Sequence, residues 1–350
     1  MKNIQIGHKV IGKKVKPFII AEMSGNHNQS LDRAFEIVDA AIEAGVDALK
    51  LQTATPDGLT LDVDKPDFRV NDADSLWYGR TLYSLYKDAV TPWEWHKPIF
   101  DYCRKRELIV FSSPFELAAV DFLEKLEVPC YKIASFELLD LPLVRKVAAT
   151  GKPMIMSTGM ATVSEIEDAV VAARSEGNEQ IILLKCTSTY PATPKDSNIL
   201  TIPHLKQMFG CQVGLSDHTL GVGVPIASVA FGATVIEKHF TLDREDGGVD
   251  SAFSMEPNEM SSLVIESERA WQALGEVSYG TTEKEEKSIT FRRSIYITEA
   301  VEQGGVLTPN NMRIIRPGFG VAPKYYEVLL GRKVNQKLEK GTSMSWDYIG

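Results

Sequence analysis

Phe18-Ile19-Ile20-Ala21-Glu22-Met23, the segment from Ser30 to Gly45, and Ala48-Leu49-Lys50-Leu51-Gln52-Thr53 read as a strand, a helix and a second strand. The two outer runs are short, apolar and bounded by polar residues, as buried strands are. Between them Ala34, Ile37, Val38, Ala41 and Ile42 recur on one helical face, Ser30 stands at the amino-terminal cap and Gly45 at the stop. Working outward, strand-type runs return at Leu108 to Ser113, Cys130 to Ser135, Pro153 to Thr158, Ile181 to Thr187, Gln212 to Asp217 and Val235 to Phe240. Helix-period segments separate them; Thr162 opens the one over Val163 to Arg174, with Glu165 completing a capping box. An open doubly wound sheet alternates in the same way, but a count of eight selects an α/β fold of the (β/α)8 TIM-barrel kind.

The alternation stops near Gly275, and Thr281-Thr-Glu-Lys-Glu-Glu-Lys-Ser288 is a charged stretch of linker type. Short β-type runs at Ser294 to Thr298 and Met312 to Ile315 follow, among Gly-Gly, Thr-Pro-Asn-Asn and Arg-Pro-Gly turns. The expected division is a barrel over 1–275, a linker over 276–290 and a small domain over 291–350, in keeping with a 350-residue chain exceeding what one core supports.

A net charge of −9 excludes a general nucleic-acid partner, so an anionic ligand needs a local cluster of cations. The opening Met1-Lys2-Asn3-Ile4-Gln5 carries no signal-type apolar stretch, and no run reaches the roughly 18 apolar residues of a membrane span. A cytoplasmic protein is expected. Cys103, Cys130, Cys186 and Cys211 form no CxxC pair and read as reduced, buried thiols.

In a barrel of this kind the chemistry sits at the carboxyl ends of the strands. Those ends are polar here: Glu22; Lys50 and Gln52; Ser112 and Ser113; Lys132 and Ser135; Ser157 and Thr158; Ser216, Asp217 and His218; Glu237, Lys238 and His239. Charge inside apolar runs is costly unless paired with a ligand, a metal or another charge. Two lysines with the hydroxyls of Ser113, Ser135 and Ser157 suit a small phosphate and carboxylate. His218 and His239 end adjacent strands and can share one metal, with Glu22 and Asp217 near enough to ligate or accept protons. Each histidine can equally be a hydrogen-bond partner. If a metal is held, this donor set points to manganese or magnesium rather than structural zinc.

The motifs resemble a known family. Ala21-Glu22-Met23-Ser24-Gly25-Asn26-His27, Lys50-Leu51-Gln52, Ser112-Ser113-Pro114-Phe115, Tyr131-Lys132-Ile133-Ala134-Ser135-Phe136-Glu137, Ser157-Thr158-Gly159-Met160, Gly214-Leu215-Ser216-Asp217-His218-Thr219 and Glu237-Lys238-His239-Phe240-Thr241 are similar to those of the sialic acid synthases. Leu307-Thr308-Pro309-Asn310-Asn311 and Arg316-Pro317-Gly318-Phe319-Gly320 resemble the antifreeze-like (SAF, β-clip) domain such synthases carry. Within the family, Leu76-Trp77-Tyr78-Gly79-Arg80-Thr81-Leu82-Tyr83 and Thr91-Pro92-Trp93-Glu94-Trp95, in the long loop after the second strand, are most similar to the pseudaminic acid branch.

The resemblance implies a metal-dependent enzyme that condenses phosphoenolpyruvate with an amino sugar and releases phosphate. Lys50, Lys132, Ser135 and Ser157 would hold phosphoenolpyruvate; Glu22, His218 and His239 would be catalytic, the two histidines also as metal ligands. Gln52, Ser113, Phe115, Glu137, Ser188, Tyr190, Ser216 and Asp250 join the implied substrate-binding set. Arg316 would reach the site of a partner across a swapped homodimer. The sialic acid synthases carry an asparagine where this chain has Ser188, which argues against N-acetylmannosamine and toward 2,4-diacetamido-2,4,6-trideoxy-L-altrose; an N-acetylneuraminate or legionaminate synthase is the alternative. Two other classes are a synthase acting on a sugar phosphate and a non-catalytic sugar-binding or ice-binding protein. The former needs more cations, and the latter has no use for Glu22, Lys50, Lys132 and two histidines together.

Overall fold

The computed structural model describes residues 2–350, and the chain divides into two compact units, Met1–Gly275 and Glu276–Gly350. In the first, a short antiparallel hairpin of β1 (Ile4–Ile6) and β2 (Lys9–Ile11) precedes eight parallel strands. These are β3 (Phe18–Glu22), β4 (Ala48–Thr53), β5 (Ile109–Pro114), β6 (Tyr131–Ile133), β7 (Met154–Ser157), β8 (Ile181–Cys186), β9 (Gln212–Asp217) and β10 (Val235–His239). They close into a barrel in chain order, β10 pairing with β3, as the sequence predicts.

Local signals set the helices. Ser30 Oγ accepts from Arg33 N, helix Leu31–Ala44 follows, and Gly45 ends it at φ 82°, a left-handed conformation that suits glycine. Thr162 and Glu165 form the reciprocal capping box ahead of helix Val163–Ser175. Strand alternation then separates two apolar layers. Ile19, Ala21, Leu49 and Leu51 face the helices, whereas Phe18, Ile20, Ala48, Phe111, Ile155 and Val235 fill the barrel. The hairpin contributes Ile4, Ile6 and Ile11 to this inner cluster, sealing the amino end with three apolar side chains.

The second unit pairs β11 (Ser294–Ile297) with β12 (Met312–Ile315) antiparallel around a core that includes Ile295, Ile297, Leu307, Met312, Leu329 and Leu338. Residues 281–288 are exposed throughout, as their charge requires, and a 3-10 turn spans Glu286–Phe291. Among the described residues no helix is long and apolar enough to cross a membrane.

Candidate active site

On several barrel strands an apolar interior side chain lies one alternation step below a polar one. Strand β3 runs Phe18, Ile20, Glu22; β4 runs Ala48, Lys50, Gln52; β10 runs Val235, Glu237, His239. The register puts Glu22 beside both Lys50 and His239, and Glu237 beside Ser216. The result is a buried ion network. Lys50 Nζ lies 2.9 Å from Glu22 Oε2 and 3.1 Å from Glu237 Oε1, and Lys132 Nζ lies 3.6 Å from Glu237 Oε1. Gln52 Nε2 donates to Glu22 Oε1 at 2.8 Å and Ser216 Oγ to Glu237 Oε1 at 3.0 Å.

Burial alone raises a carboxyl pKa, and here neighbouring cations outweigh it. Burial pushes Glu22 up, but Lys50, His239 and Lys132, with the Gln52 hydrogen bond, hold it well below the usual range. Glu237 is lowered for the same reason, with Lys132 and Lys50 overcoming burial. Burial lowers Lys132, whereas Lys50, also penalised by burial, is raised by its two carboxylates. Two lysines and two carboxylates cancel, so the lysines are not the free cations the strand ends suggest. An arriving anion must share them with Glu22 and Glu237.

The hydroxyls of Ser113 and Ser157 are buried without a partner, which is costly for a polar group that no ligand reaches. Ser135 Oγ accepts from Gly159 N at 3.2 Å and keeps its proton to donate. Past them the carboxyl of Glu137 has a buried, unpartnered Oε2, and burial raises its pKa to about 7 despite Lys132 nearby.

The histidines meet as the chain order predicts, with ring centroids 5.2 Å apart. His218 Nδ1 faces the Thr187 carbonyl at 2.9 Å, which leaves Nε2 for another partner. His239 Nε2 lies 3.3 Å from Glu22 Oε2, and its Nδ1 lies 3.6 Å from Asp250 Oδ2 with no hydrogen bond of its own. Asp250 also accepts from Ser24 Oγ. Among the described residues no three His, Cys, Asp or Glu side chains form a closed cage. The donors a divalent ion would use here are the two imidazoles, with Nδ1 of His239 left without a hydrogen bond, beside the carboxylates of Glu22 and Asp250.

Above the charged floor the loop wall is largely apolar, with Asp72 and Ser75 as its polar members. The loop after β4 contains helix Pro56–Leu59 and helix Leu82–Ala89. Leu59, Val70, Leu82, Leu85 and Tyr86 from this loop, with Phe115, line a cavity of about 420 Å³ whose floor includes Glu22, Lys132, His218 and His239. Tyr190 packs on His218 with centroids 4.5 Å apart, and Trp77 packs on Tyr190 at 5.8 Å.

Thirteen of the sixteen residues singled out for the site line this cavity; Ser113, Ser188 and Arg316 do not. Ser188 has its Oγ 3.8 Å from Cys186 Sγ, beside Gly159. Arg316 belongs to the second unit and is exposed there. Asp217 is a correction. Strand alternation that aims Ser216 into the barrel must aim Asp217 out, and Asp217 instead pairs with Lys238 at 2.9 Å on the helix side. Of the aromatic stretch, Trp77 is the one aromatic side chain that lines the cavity, with Leu82 beside it. Trp93 packs on Phe122 and donates to the Ala54 carbonyl, and Trp95 packs on His27.

Sequence reasoning passed over Glu237 as a site residue, although its place two residues before His239 was the signal. It also passed over Cys186, a buried thiol that burial raises but the adjacent His218 imidazole brings down to about 7. Phe253, 4.9 Å from the His239 ring, comes from a 3-10 turn with no sequence signature.

Comparison with known proteins agrees with this fold. Residues 37–279 match the NeuB family and residues 292–349 the SAF domain. The chain is 43% identical to a pseudaminic acid synthase of Campylobacter jejuni, covering 97% of this chain and 98% of that one. It is also 43% identical to the pseudaminic acid synthase of Helicobacter pylori, over 95% and 98% of the two chains. An N-acetylneuraminic acid synthetase structure from Leptospira borgpetersenii, with citrate bound, superposes with a TM-score of 0.72 at 31% identity, over 82% of this chain and 95% of that one.

Proposed function

This chain belongs to the NeuB family and is a phosphoenolpyruvate-dependent nonulosonic acid synthase; on that premise we propose that it makes pseudaminic acid from 2,4-diacetamido-2,4,6-trideoxy-L-altrose, phosphoenolpyruvate and water. The observation that carries the substrate choice is the contrast between a charged floor and a largely apolar loop wall, in which Asp72 and Ser75 are the polar members. A 6-methyl and two acetamido methyls suit Leu59, Val70, Leu82 and Leu85 better than a ring of hydroxyls would.

In this reading Lys132 and Lys50, with Ser135 and Ser157, receive the phosphate and carboxylate, supplying donors that are buried and oriented before the ligand arrives. The enol carbon bonds to the sugar aldehyde carbon, whose oxygen takes a proton. Water adds to the carbon bearing phosphate, and loss of inorganic phosphate leaves the keto acid. Glu22, kept ionised by Lys50, faces the positive charge that develops at that carbon and stabilises it; so low a pKa makes it a poor proton carrier. Asp250 and Glu137 are read as contacts to the sugar. His218 and His239 would hold a manganese or magnesium ion, which supplies Lewis-acid polarisation of a carbonyl. Arg316, exposed in its own unit, is read as a donor to the site of a second copy in a swapped homodimer.

The test is phosphate release from phosphoenolpyruvate with a panel of amino sugars, each product being weighed by mass spectrometry. A higher kcat/KM for N-acetylmannosamine, or for the sugar that leads to legionaminic acid, overturns the substrate assignment. Full activity after chelation overturns the metal. Mixing inactive His218→Ala and Arg316→Ala chains under subunit exchange should restore activity, because one site of the mixed dimer keeps both groups.

A further inference from the structure

A second cavity, of about 500 Å³, lies against the first, and Trp77 and Val249 line both. The partition is held shut from both sides. Trp77 Nε1 donates to the Val249 carbonyl at 2.9 Å, across 172 residues of sequence, and the indole ring rests on Tyr190. Behind it the polar groups are occupied with one another. Arg80 pairs with Asp88 at 2.5 Å, Gln29 donates to the Asp88 and Val90 carbonyls, and Asn28 donates to the Gly247 carbonyl. Much of this polar lining is tied up internally, and what the pocket offers beside the first cavity is room. Small residues, Gly25, Gly248 and Ala252, form part of its boundary.

We infer that Trp77 is a specificity-determining residue: its indole, latched to Val249, walls off the second chamber and limits the acyl group on the bound amino sugar to acetyl. This rests on the reading above that an N-acylated sugar occupies the first cavity, one acetamido methyl ending against the aromatic wall. The physical case is one of volume. Excluding a longer acyl chain by packing alone is worth roughly 10- to 200-fold per methylene, so the wall must be stiff, and a ring fixed by a hydrogen bond and by stacking is stiff. Shortening Trp77 opens the path into the chamber from the loop side. Trimming Val249 widens it from the opposite side without touching the latch, which uses only the Val249 backbone.

The experiment compares kcat/KM for acetamido and butanamido forms of the sugar in the full-length enzyme, Trp77→Ala, Trp77→Phe and Val249→Ala. Wild type is expected to favour acetamido by about 100-fold or more, two methylenes at about tenfold or more each. That preference should shrink by about tenfold in Trp77→Ala and less in Val249→Ala, while KM for phosphoenolpyruvate stays constant. Trp77→Phe keeps the ring and loses the latch, so it should fall between wild type and Trp77→Ala. A structural role alone would lower activity on both sugars equally and leave the ratio unmoved. If Trp77→Ala loses its fold, as thermal melting would show, Val249→Ala decides the question. An unchanged ratio in the folded variants, or a wild type that accepts both acyl groups equally, overturns the inference. If wild type turns over N-acetylmannosamine and not the diacetamido sugar, the substrate assignment fails alone, and the same series on N-acylmannosamines still tests the wall.

Discussion

The barrel interior has an apolar half and a charged half, and on β3, β4 and β10 an apolar residue stands two positions before a charged one. Below lie Ile20, Ala48, Phe111, Ile155 and Val235; above lie Glu22, Lys50, Lys132 and Glu237. The lower layer gains free energy by leaving water, whereas the upper layer loses several kcal/mol per desolvated ion and recovers it through mutual pairing. One half therefore holds the fold, and the other is kept for what it does to a ligand. The sharpest way to break that comparison is to exchange the consequences of mutation between layers.

Phe111 is fully buried at the centre of the lower layer. Phe111→Ala should cost about 3–5 kcal/mol of stability, read from urea unfolding, with kcat in the surviving folded enzyme close to wild type. A large fall in kcat with little loss of stability would mean that the lower layer is part of the machinery. Glu22→Gln is the mirror experiment. It removes a charge but keeps the shape and an acceptor for Lys50, so kcat should drop about 100- to 1000-fold, or about 3–4 kcal/mol in the barrier. Because Lys50 keeps Glu237 as a carboxylate partner, the stability loss should stay below that of Phe111→Ala. Equal damage to stability would show that the ion network holds the barrel together.

The lower layer was also the more legible in sequence. All eight strands and the caps at Ser30, Gly45 and Thr162 follow from apolar runs and end signals, because burying a strand between barrel and helices requires those patterns. The hairpin of β1 and β2 was not read, since three-residue strands carry too few alternations to stand out from a polar terminus. Polar positions at the strand ends were legible as a group, but which of two neighbours points inward depends on register. Ser216 and His218 were placed correctly while Asp217, between them, was not. The partnership of Trp77 with Val249 spans 172 residues and depends on loop geometry that no local pattern encodes.

The boundary between the layers and the apolar wall can be probed by pH. Glu137 has a pKa of about 7 against an ordinary value near 4.5, chiefly through burial, with Lys132 and Lys50 opposing and Asp140 reinforcing the shift. Between those values the folded chain holds a proton that the unfolded chain has released. Stability therefore falls as pH rises through that window and levels off above pH 7. Glu137→Gln cannot ionise, so relative to wild type it should gain on the order of 1–3 kcal/mol between pH 4.5 and 7.5, and no more above that. Urea midpoints at matched pH check this, and a difference that stays flat with pH would mean that Glu137 is solvated.

The smallest effect separates orientation from stability at the sugar end. Ser24 is buried at φ 48°, in the left-handed region, and its hydroxyl bonds the Asp250 carboxylate that faces His239. Ser24→Gly removes that hydrogen bond and at the same time relieves the backbone, two terms of about 1 kcal/mol and opposite sign, so the melting temperature should barely move. Ser24→Ala removes the bond and keeps the strain, so it should be less stable than Ser24→Gly by about 1 kcal/mol. If Asp250 contacts the sugar only when Ser24 aims it, both variants should raise KM for the sugar by a similar factor, about three- to tenfold, and leave KM for phosphoenolpyruvate alone. Stability would thus distinguish the two substitutions and sugar binding would not. Sugar KM values that follow stability instead would mean that Ser24 serves the fold, and wild-type KM values in both would release Asp250 from any dependence on it.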